Sequence, residues 1–580
     1  MVGLYYAIAD RKKENTDNYY FGGRKMSPFP VGMSIAVTFI SAITVIGFPT
    51  ESYGYGTIIL WYSVSNIIPC IVACVYYIPL IHRLKPKSIY ELLEIRFHRN
   101  LRLLVSGGSI LYLTLYYGMT TYLPALALSA VTPLSLRTTI GLTSVICIVY
   151  TTLGGMKAVV WTDTLQTFVM LAGMVAAFIK STSDVGGFTN VWDALERGNR
   201  HNAINFNLDP TYPYTIWSIV IGQTFIWCRA GCVTQSISQR YLACKSVKHA
   251  RIAAVLSIVP SVIFFSMAAM IGCVMYAYFE GCDPLKTGEI EKPDQLLPYM
   301  VVKIFKNVPG MAGLFVSAAF SGAMSTISSG INANGALILE DFILPWKPNL
   351  TERTKLRISK ISVFIYGVLV MSYAFSIEFI NTTVNQLSLV ITGSIGGPIL
   401  GVYTLAVFFP WCTTIGAAVA QVVATVFTCW ISASALIYGK PPEKYAFIAT
   451  STDQCQAKAL LSNATWLPET TNQSFVSTTP IMITPERSTL QNTLFAVSYF
   501  YYGVLSFSVT LVVGLVVSFA TGANKPSAMN PDLFLPFVDN KRLSPKIREF
   551  FRFGVPRRGE QNAGKTELKP LQVSDAQLAN

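Results

Sequence analysis

Long apolar segments separated by short polar ones dominate this 580-residue chain. About 20 consecutive apolar residues span the hydrocarbon core of a bilayer as an α-helix. Twelve segments fit, at residues 27–53, 56–81, 103–129, 138–156, 160–180, 213–236, 252–279, 312–339, 359–378, 384–409, 413–437 and 493–520. They are continuous rather than alternating, which argues against a β-barrel. The pattern predicts an all-α polytopic membrane protein with about twelve full transmembrane helices in one domain, residues 27–522.

Composition and charge agree with a lipid environment. The chain is 52% hydrophobic and 13% charged, whereas soluble domains carry about 25% charged residues. The net charge of +14 does not indicate a nucleic-acid partner, because Lys and Arg cluster in loops on one predicted side of the membrane. These clusters lie in residues 11–25, 83–102, 240–251, 347–360 and 541–558. The positive-inside rule makes that side cytoplasmic, so we expect a cytoplasmic C-terminus.

The segments outside the spans have distinct predictions. Residues 1–26 hold nine apolar residues and a basic run, which we interpret as the remnant of a thirteenth helix followed by a cytoplasmic loop. The polar stretch 438–492 is predicted to be an extracellular loop, and its sequons predict glycosylation at Asn463 and Asn472. Cys282 and Cys455 both fall in predicted outer loops, where a disulfide between them could form. Residues 523–580 are predicted to be a cytoplasmic tail, largely disordered.

Polar residues inside one span give the first functional indication. Residues 320–334 are rich in Ser, Thr, Asn and Gly, and an unpaired hydroxyl in an apolar medium costs roughly 2–7 kcal/mol. This helix should therefore lie inside the bundle. Its small residues could serve close helix packing, or its oxygens could hold other helices, water or a small cation.

Interrupted helices give the second indication. Thr38, Ser41 and Thr44 share roughly one helical face, and Gly47 and Pro49 are expected to weaken the helix just beyond them. Similar interruptions recur in spans 213–236 and 384–409. A kinked helix is one reading, and the recurrence favours the other, an alternating-access transporter.

A charged residue stands within one predicted span. Arg229 could face an aqueous cavity or snorkel, or it could meet an anionic substrate, with Glu51 as a distant partner. The histidines lie in loops without a nucleophile–base arrangement, and Cys228 and Cys232 have no His or acid beside them. We therefore predict neither an enzyme nor an organic cofactor, and no metal other than sodium.

Several motifs resemble one transporter family. They are Asn18–Lys25, Thr152–Gln166 with its Gly-Gly and Thr-Asp-x-x-Gln elements, Gln239–Leu242, Ser321–Thr326 and Tyr499–Gly503. Together they resemble the sodium/solute symporters of the sodium–glucose cotransporter type, on the branch of the monocarboxylate, multivitamin and iodide symporters. The resemblance covers about residues 10–522. It implies a LeuT-type inverted repeat of five plus five helices with added peripheral helices.

The resemblance also implies a set of site residues. Sodium would be bound by the carbonyls of Val37, Ile40 and Gly322 and by the hydroxyls of Ser325 and Thr326. A second sodium would fall near Ser41, Thr44 and Tyr116. The substrate would lie near Thr44, Tyr116, Trp227, Arg229, Ser388 and Leu389. Some relatives have Gln where Thr44 stands and an uncharged residue where Arg229 stands, which leaves the substrate open.

The resulting expectation is a sodium-coupled symporter of the plasma membrane that imports a small organic anion, a monocarboxylate or a vitamin, by alternating access. The alternatives are an inorganic-anion symporter of the iodide type and a transporter-like solute sensor or channel. Sodium stoichiometry and oligomeric state are not determined by the sequence.

Overall fold

The chain is helical throughout the computed structural model, which describes residues 16–380, 383–438, 447–455, 488–534, 536–540 and 543–558. No β-strand occurs in these ranges, and one isolated bridge pairs Met26 with Cys244. The first α-helices are α1 (Thr16–Phe21), α2 (Pro28–Phe39), α3 (Phe48–Tyr55), α4 (Tyr62–Ser65), α5 (Ile67–Val72), α6 (Ile78–Leu84), α7 (Glu91–Arg96), α8 (Arg99–Val131), α9 (Leu136–Asp184), α10 (Phe188–Arg197) and α11 (Ile216–Cys232). The others are α12 (Gln235–Ala243), α13 (Val247–Phe279), α14 (Leu296–Ile304), α15 (Met311–Leu337), α16 (Glu352–Ser376), α17 (Val384–Ile391), α18 (Gly397–Phe408), α19 (Thr414–Tyr438), α20 (Thr489–Asn492), α21 (Tyr502–Ala520) and α22 (Pro545–Phe550).

Every predicted span overlaps one or more of these helices. By length and hydropathy, the described residues contain eight helical runs able to cross a membrane, or nine if α11 and α12 form one span bent by 55°. The count is below twelve for physical reasons. The run Ile43–Leu84, 42 residues long, joins parts of two predicted spans, while α2 is a short apolar helix and α8 carries many hydroxyl side chains.

The interruption of the first span lies earlier than the sequence predicts. The prediction that the helix is interrupted at Gly47 and Pro49 is wrong. Instead, α2 ends at Phe39, and Ile40 leaves helical geometry at φ −92° and ψ 84°. A π-helical turn, Ile43–Gly47, then leads directly into α3, where Pro49 occupies the first turn, a position that tolerates its missing N–H.

The fourth and fifth predicted spans are two helices that meet at a kink inside α9. Gly155 has φ 61° and ψ −177°, a conformation that L side chains rarely adopt. A Cβ atom there would also stand 3.0 Å from the Tyr19 ring. Glycine is therefore what allows the chain to turn between the two spans.

The helix rich in Ser, Thr and Asn lies inside the bundle, as predicted. In α15, the residues from Ser321 to Leu337 are all buried except Met324, which is half-buried. The hydroxyls and amides of this stretch therefore face other helices rather than lipid. This central position brings α15 against the interruption between α2 and α3.

The described part of the tail packs on the helices. Short 3-10 turns at Pro526–Ala528, Pro531–Leu533 and Pro536–Asp539 bury Leu533 and Phe534. Arg83 of α6 donates to the Phe534 carbonyl at 3.5 Å and pairs with Asp539 at 3.3 Å. The periodicity of hydrophobic residues along the helices does not predict these contacts. The remainder, 559–580, lies outside the described residues, as do 1–15 and 456–487.

Candidate functional site

The interruption after α2 exposes backbone oxygens in the interior. Among the described residues, the hydrogen bond that would continue the helix, from the Ser41 N–H to the Val37 carbonyl, is not formed. Val37 and Ile40 are both fully buried. Their carbonyls are therefore buried and accept no helical hydrogen bond. Interrupted helices in transporters coordinate cations with carbonyls of this kind.

One face of α15 packs directly against this interruption. The Thr326 hydroxyl lies 3.1 Å from the Gly322 carbonyl and 3.3 Å from the Thr38 carbonyl, which it reaches across the interface. A Cβ atom on Gly322 would come within 3.2 Å of the Ser41 carbonyl carbon, so the close approach depends on glycine. The buried Ser325 hydroxyl makes no hydrogen bond within 3.5 Å in the described residues and lies near the Asp163 carboxylate. The structure thus brings the sequence-derived sodium ligands to one helix contact, whose hard oxygens suit a hard cation.

The remaining sequence-derived site residues line one cavity of about 100 Å³. From the implied sodium and substrate sets, its lining includes Ser41, Thr44, Tyr116, Trp227, Arg229, Thr326, Ser388 and Leu389. The Tyr116 hydroxyl donates to the Ser41 hydroxyl at 3.4 Å. Because Ser41 and Thr326 border both features, the cavity is continuous with the cluster of proposed sodium ligands.

Arg229 is the charged side chain of this cavity. It is 2% exposed, and its Nε and Nη2 atoms have no hydrogen-bond partner in the described residues. The guanidinium carbon lies 3.7 Å from the centre of the Tyr112 ring, a cation–π contact. Glu51 is not its partner, since that carboxylate accepts from Tyr214 and Thr383. A buried guanidinium with unused donors facing a cavity is an arrangement that binds anions.

Sequence reasoning missed several polar residues of the cavity. They include Tyr112, Asn385 and Thr392. Helical spacing could have identified these three, because Tyr112 lies four residues before Tyr116, while Asn385 and Thr392 flank Ser388 by three and four. Adding the residues three and four positions from Tyr116 and Ser388 on the same helices would therefore have predicted more of the cavity lining.

Two of the sequence motifs meet in a buried ion pair beside the proposed sodium ligands. Arg240 of the Gln239–Leu242 motif pairs with Asp163 of the Thr152–Gln166 motif at 2.9 Å, and both side chains are fully buried. The same guanidinium donates to Ser34 on α2 and to Ser329 on α15. This pair therefore ties together the four helices around the interruption.

The disulfide that the sequence allows between two predicted outer loops is formed. Cys282 and Cys455 are bonded in the structure, at a sequence separation of 173. The predicted glycosylation sites Asn463 and Asn472 fall in 456–487 and so lie outside the described residues.

No cluster of three or more His, Cys, Asp or Glu side chains able to hold a metal occurs in the described ranges.

Comparison with known proteins identifies the family. The model of the Sodium:solute symporter family matches residues 19–424. The human sodium-coupled monocarboxylate transporter 2 is 35% identical over 535 residues, or 92% of this chain and 84% of that protein. The human sodium/iodide cotransporter is 34% identical over 533 residues, or 92% of this chain and 83% of that protein.

A solved structure confirms the expected fold. The substrate-bound, outward-open Na⁺-coupled sialic acid symporter is 22% identical and superposes with a TM-score of 0.71, over 90% of this chain and 96% of that one. This likeness shows the LeuT-type arrangement of five plus five helices. The chain is thus a multi-pass membrane protein that belongs to the sodium:solute symporter family.

Proposed function

We propose that this protein is a sodium-coupled symporter that imports a small monocarboxylate across the plasma membrane. The observation that carries the proposal is Arg229, a buried guanidinium with unused donors at the wall of the cavity. Hydrogen bonds between a guanidinium and a carboxylate are charge-assisted and geometrically specific. The relatives that transport monocarboxylates by name support the same substrate class.

The cavity volume favours a small solute. A buried water needs roughly 10–15 Å³ of such volume, so a cavity of about 100 Å³ holds several waters or a lactate-sized anion. Vitamins such as biotin or pantothenate are larger and would require the cavity to expand. The cavity walls are largely aromatic and aliphatic, among them Phe48, Trp227 and Phe265, which suits the short carbon chain of a monocarboxylate.

Sodium coupling would follow from the contact between the interrupted helix and α15. A sodium ion bound by Val37, Ile40, Gly322, Ser325 and Thr326 would fasten the two elements and fix the adjoining cavity wall at Ser41. The solute would then bind a preorganised site before the bundle opens inward. A tenfold sodium gradient supplies about 1.4 kcal/mol per ion, and membrane potential adds about 2.3 kcal/mol per net charge moved per 100 mV. By that arithmetic, two sodium ions could move one anion uphill by roughly a hundredfold or more.

Orientation is part of the proposal. The basic loops mark the cytoplasmic side by the positive-inside rule, which places the tail inside and the Cys282–Cys455 disulfide outside. Disulfides persist in the oxidising exterior, so the disulfide supports the same orientation.

An inorganic anion is the second candidate substrate. The sodium/iodide cotransporter is as similar to this chain as the monocarboxylate transporters are, and a small cavity with one guanidinium would also accept a single anion. The two candidates differ in how they would use the guanidinium. A carboxylate can accept two parallel hydrogen bonds from it, whereas iodide is a single atom and makes no use of a bidentate donor.

The test is uptake in cells that express the chain, with surface protein quantified. Radiolabelled lactate, nicotinate, biotin, pantothenate and iodide are compared in sodium and in choline medium. We expect sodium-dependent accumulation of lactate or nicotinate, and little of the two larger vitamins. Accumulation of iodide alone would replace the substrate assignment. Uptake that equilibrates without exceeding the external concentration would replace symport with a channel-like or sensor function.

A further inference from the structure

Two buried carboxylates lie together beyond the outer end of the cavity. Glu51 on α3 is 1% exposed, and Asp294 in the turn Pro293–Gln295 is 2% exposed. The residues before them are in contact, since the Thr50 hydroxyl donates to the Pro293 carbonyl at 3.3 Å. The two carboxylates therefore approach each other from different parts of the chain.

Both carboxylates bind the first residues of the same helix. The Thr383 hydroxyl donates to Glu51 at 3.1 Å, and the Val384 N–H donates to Asp294 at 3.0 Å. These donors are adjacent in sequence at the beginning of α17. The pair thus holds the outer end of the helix that carries Asn385 and Ser388 into the cavity.

Neither carboxylate has a positive partner in the described residues. Glu51 accepts from the hydroxyls of Tyr214 and Thr383, and Asp294 accepts from a backbone N–H. The neighbouring ammonium, that of Lys292, donates instead to the Glu378 carbonyl at 2.6 Å. Neutral donors solvate a charge without neutralising it, and the Lys292 ammonium acts on Asp294 only from a distance, so two full negative charges would stand here without an ion-pair partner.

One polar atom of the pair is left without a partner. Asp294 Oδ1 is buried and has no hydrogen-bond partner in the described residues. A buried carboxylate oxygen without a partner indicates that a proton or another ligand is bound there.

We propose that Glu51 and Asp294 share one proton and form a proton-binding site that holds the outer end of α17. Two like charges in a buried site cannot both ionise easily, and such dyads retain a proton between them. The proton is carried on Asp294 Oδ1, which leaves the other oxygen free to accept from the Val384 N–H. The site is separate from the proposed sodium and substrate ligands and does not depend on which solute is carried.

The surroundings of Asp294 place its titration in the physiological range. Burial raises the pKa of Asp294 to about 7; the Val384 N–H lowers it, Glu51 raises it and Lys292 lowers it. The titratable groups facing Asp294 are Glu51, Lys292 and Tyr122, and those facing Glu51 are Tyr55, Tyr62, Tyr214 and Tyr499. The tyrosines contribute no positive charge.

The sign of the effect follows from the raised pKa. A carboxyl whose pKa is raised in this conformation binds its proton more tightly here than in water. Lowering the pH through 7 therefore favours the described conformation. Raising the pH above 7 adds a second charge beside Glu51 and disfavours the contact with α17. External protons would in this way regulate the outer wall of the cavity.

The experiment measures thermal unfolding of the purified full chain in detergent between about pH 6 and about pH 8. We expect the Tm of the unmodified protein to fall as the pH rises through this window. Asp294→Asn, which imitates the protonated form, should remove the dependence and match or exceed the unmodified protein at the alkaline end. Glu51→Gln should move the midpoint of the dependence to lower pH, because Asp294 then loses its charged neighbour.

The matched control is Glu291→Gln, an exposed acid in the same loop, which should keep the unmodified pH dependence. Retention of that dependence in Asp294→Asn, or an unmoved midpoint in Glu51→Gln, would overturn the shared proton. A sodium site would replace the proton site if sodium, compared with choline, restored the Tm at high pH in the unmodified protein but not in Asp294→Asn. None of these measurements requires uptake, so failure of the proposed substrate leaves them interpretable.

Discussion

At the scale of single residues, the Thr326 hydroxyl is the sharpest test of the proposed sodium site. It reaches across the interface to the Thr38 carbonyl and borders the cavity. Thr326→Ala removes one of five proposed oxygen ligands, so the sodium concentration for half-maximal uptake should rise severalfold. Thr326→Ser keeps the hydroxyl and should stay near the unmodified value. The check is a sodium titration of uptake with surface protein quantified; equal behaviour of the two variants would remove Thr326 from the site.

Arg229 gives a second prediction at this scale, about the substrate. A hydrogen bond to a charged group contributes about 1.5–3 kcal/mol, so Arg229→Gln should raise the KM for a monocarboxylate roughly 10- to 100-fold. The fold should tolerate the change, because it removes an unpaired buried charge. Arg197→Gln, at an exposed arginine on the predicted outer side, is the control. An unchanged KM in Arg229→Gln, measured by concentration-dependent uptake, would make Arg229 structural.

At the scale of elements, the interruption after α2 shows what local sequence can and cannot predict. Gly47 and Pro49 are the residues that ordinarily break helices, yet the chain passes through them in π-helical and α-helical turns. The break at Ile40 has no glycine or proline of its own. It depends on α15, where Thr326 takes the Thr38 carbonyl and Gly322 permits close approach. A contact between residues separated by 288 positions in the sequence, such as this hydrogen bond from a hydroxyl to a backbone carbonyl, leaves no trace in local propensity.

Gly322 therefore carries a prediction about the contact between elements. A methyl group there would meet backbone atoms of Ser41 and Ala42 at 3.2 and 3.3 Å, and backbone cannot move aside as a flexible side chain can. Gly322→Ala should separate α15 from the interruption and weaken sodium dependence by at least as much as Thr326→Ala. Gly313→Ala is the matched control, on the same helix but facing open space. There, alanine should leave uptake unchanged and stabilise the helix by roughly 0.5–1 kcal/mol.

Loss of sodium affinity in both glycine variants, measured by sodium-titrated uptake, would show a general sensitivity of α15. If neither variant lost sodium affinity, the contact between α15 and the interruption would accommodate an added methyl group. That result would weaken the assignment of the Gly322 carbonyl as a ligand.

At the scale of the whole molecule, the sequence predicted the transmembrane helices, the buried position of α15 and the family. Apolar segments of bilayer length indicate the helices, and the linked motifs indicate the family. Residues implied by the resemblance, such as Thr44, Trp227 and Ser388, converge on one cavity. The packed tail was not predictable, since Arg83 and Asp539 lie 456 residues apart and no periodicity marks their contact. The Glu51–Asp294 pair escaped for the same reason, because each residue alone reads as an ordinary acid near a helix end.

The buried pair of Asp163 and Arg240 gives the prediction that belongs to this scale, since it joins α2, α9, α12 and α15. Removing one partner of a buried pair leaves an uncompensated charge, at a cost of about 3–5 kcal/mol. Arg240→Met should therefore lower the Tm in detergent markedly, and combining it with Asp163→Leu should recover part of the loss. Lys303→Met breaks the exposed pair with Glu289 and should cost about 0–1 kcal/mol. If Arg240→Met were as mild as Lys303→Met, the four helices would be held by apolar packing, and the two motifs would owe their shared position to something other than this ion pair.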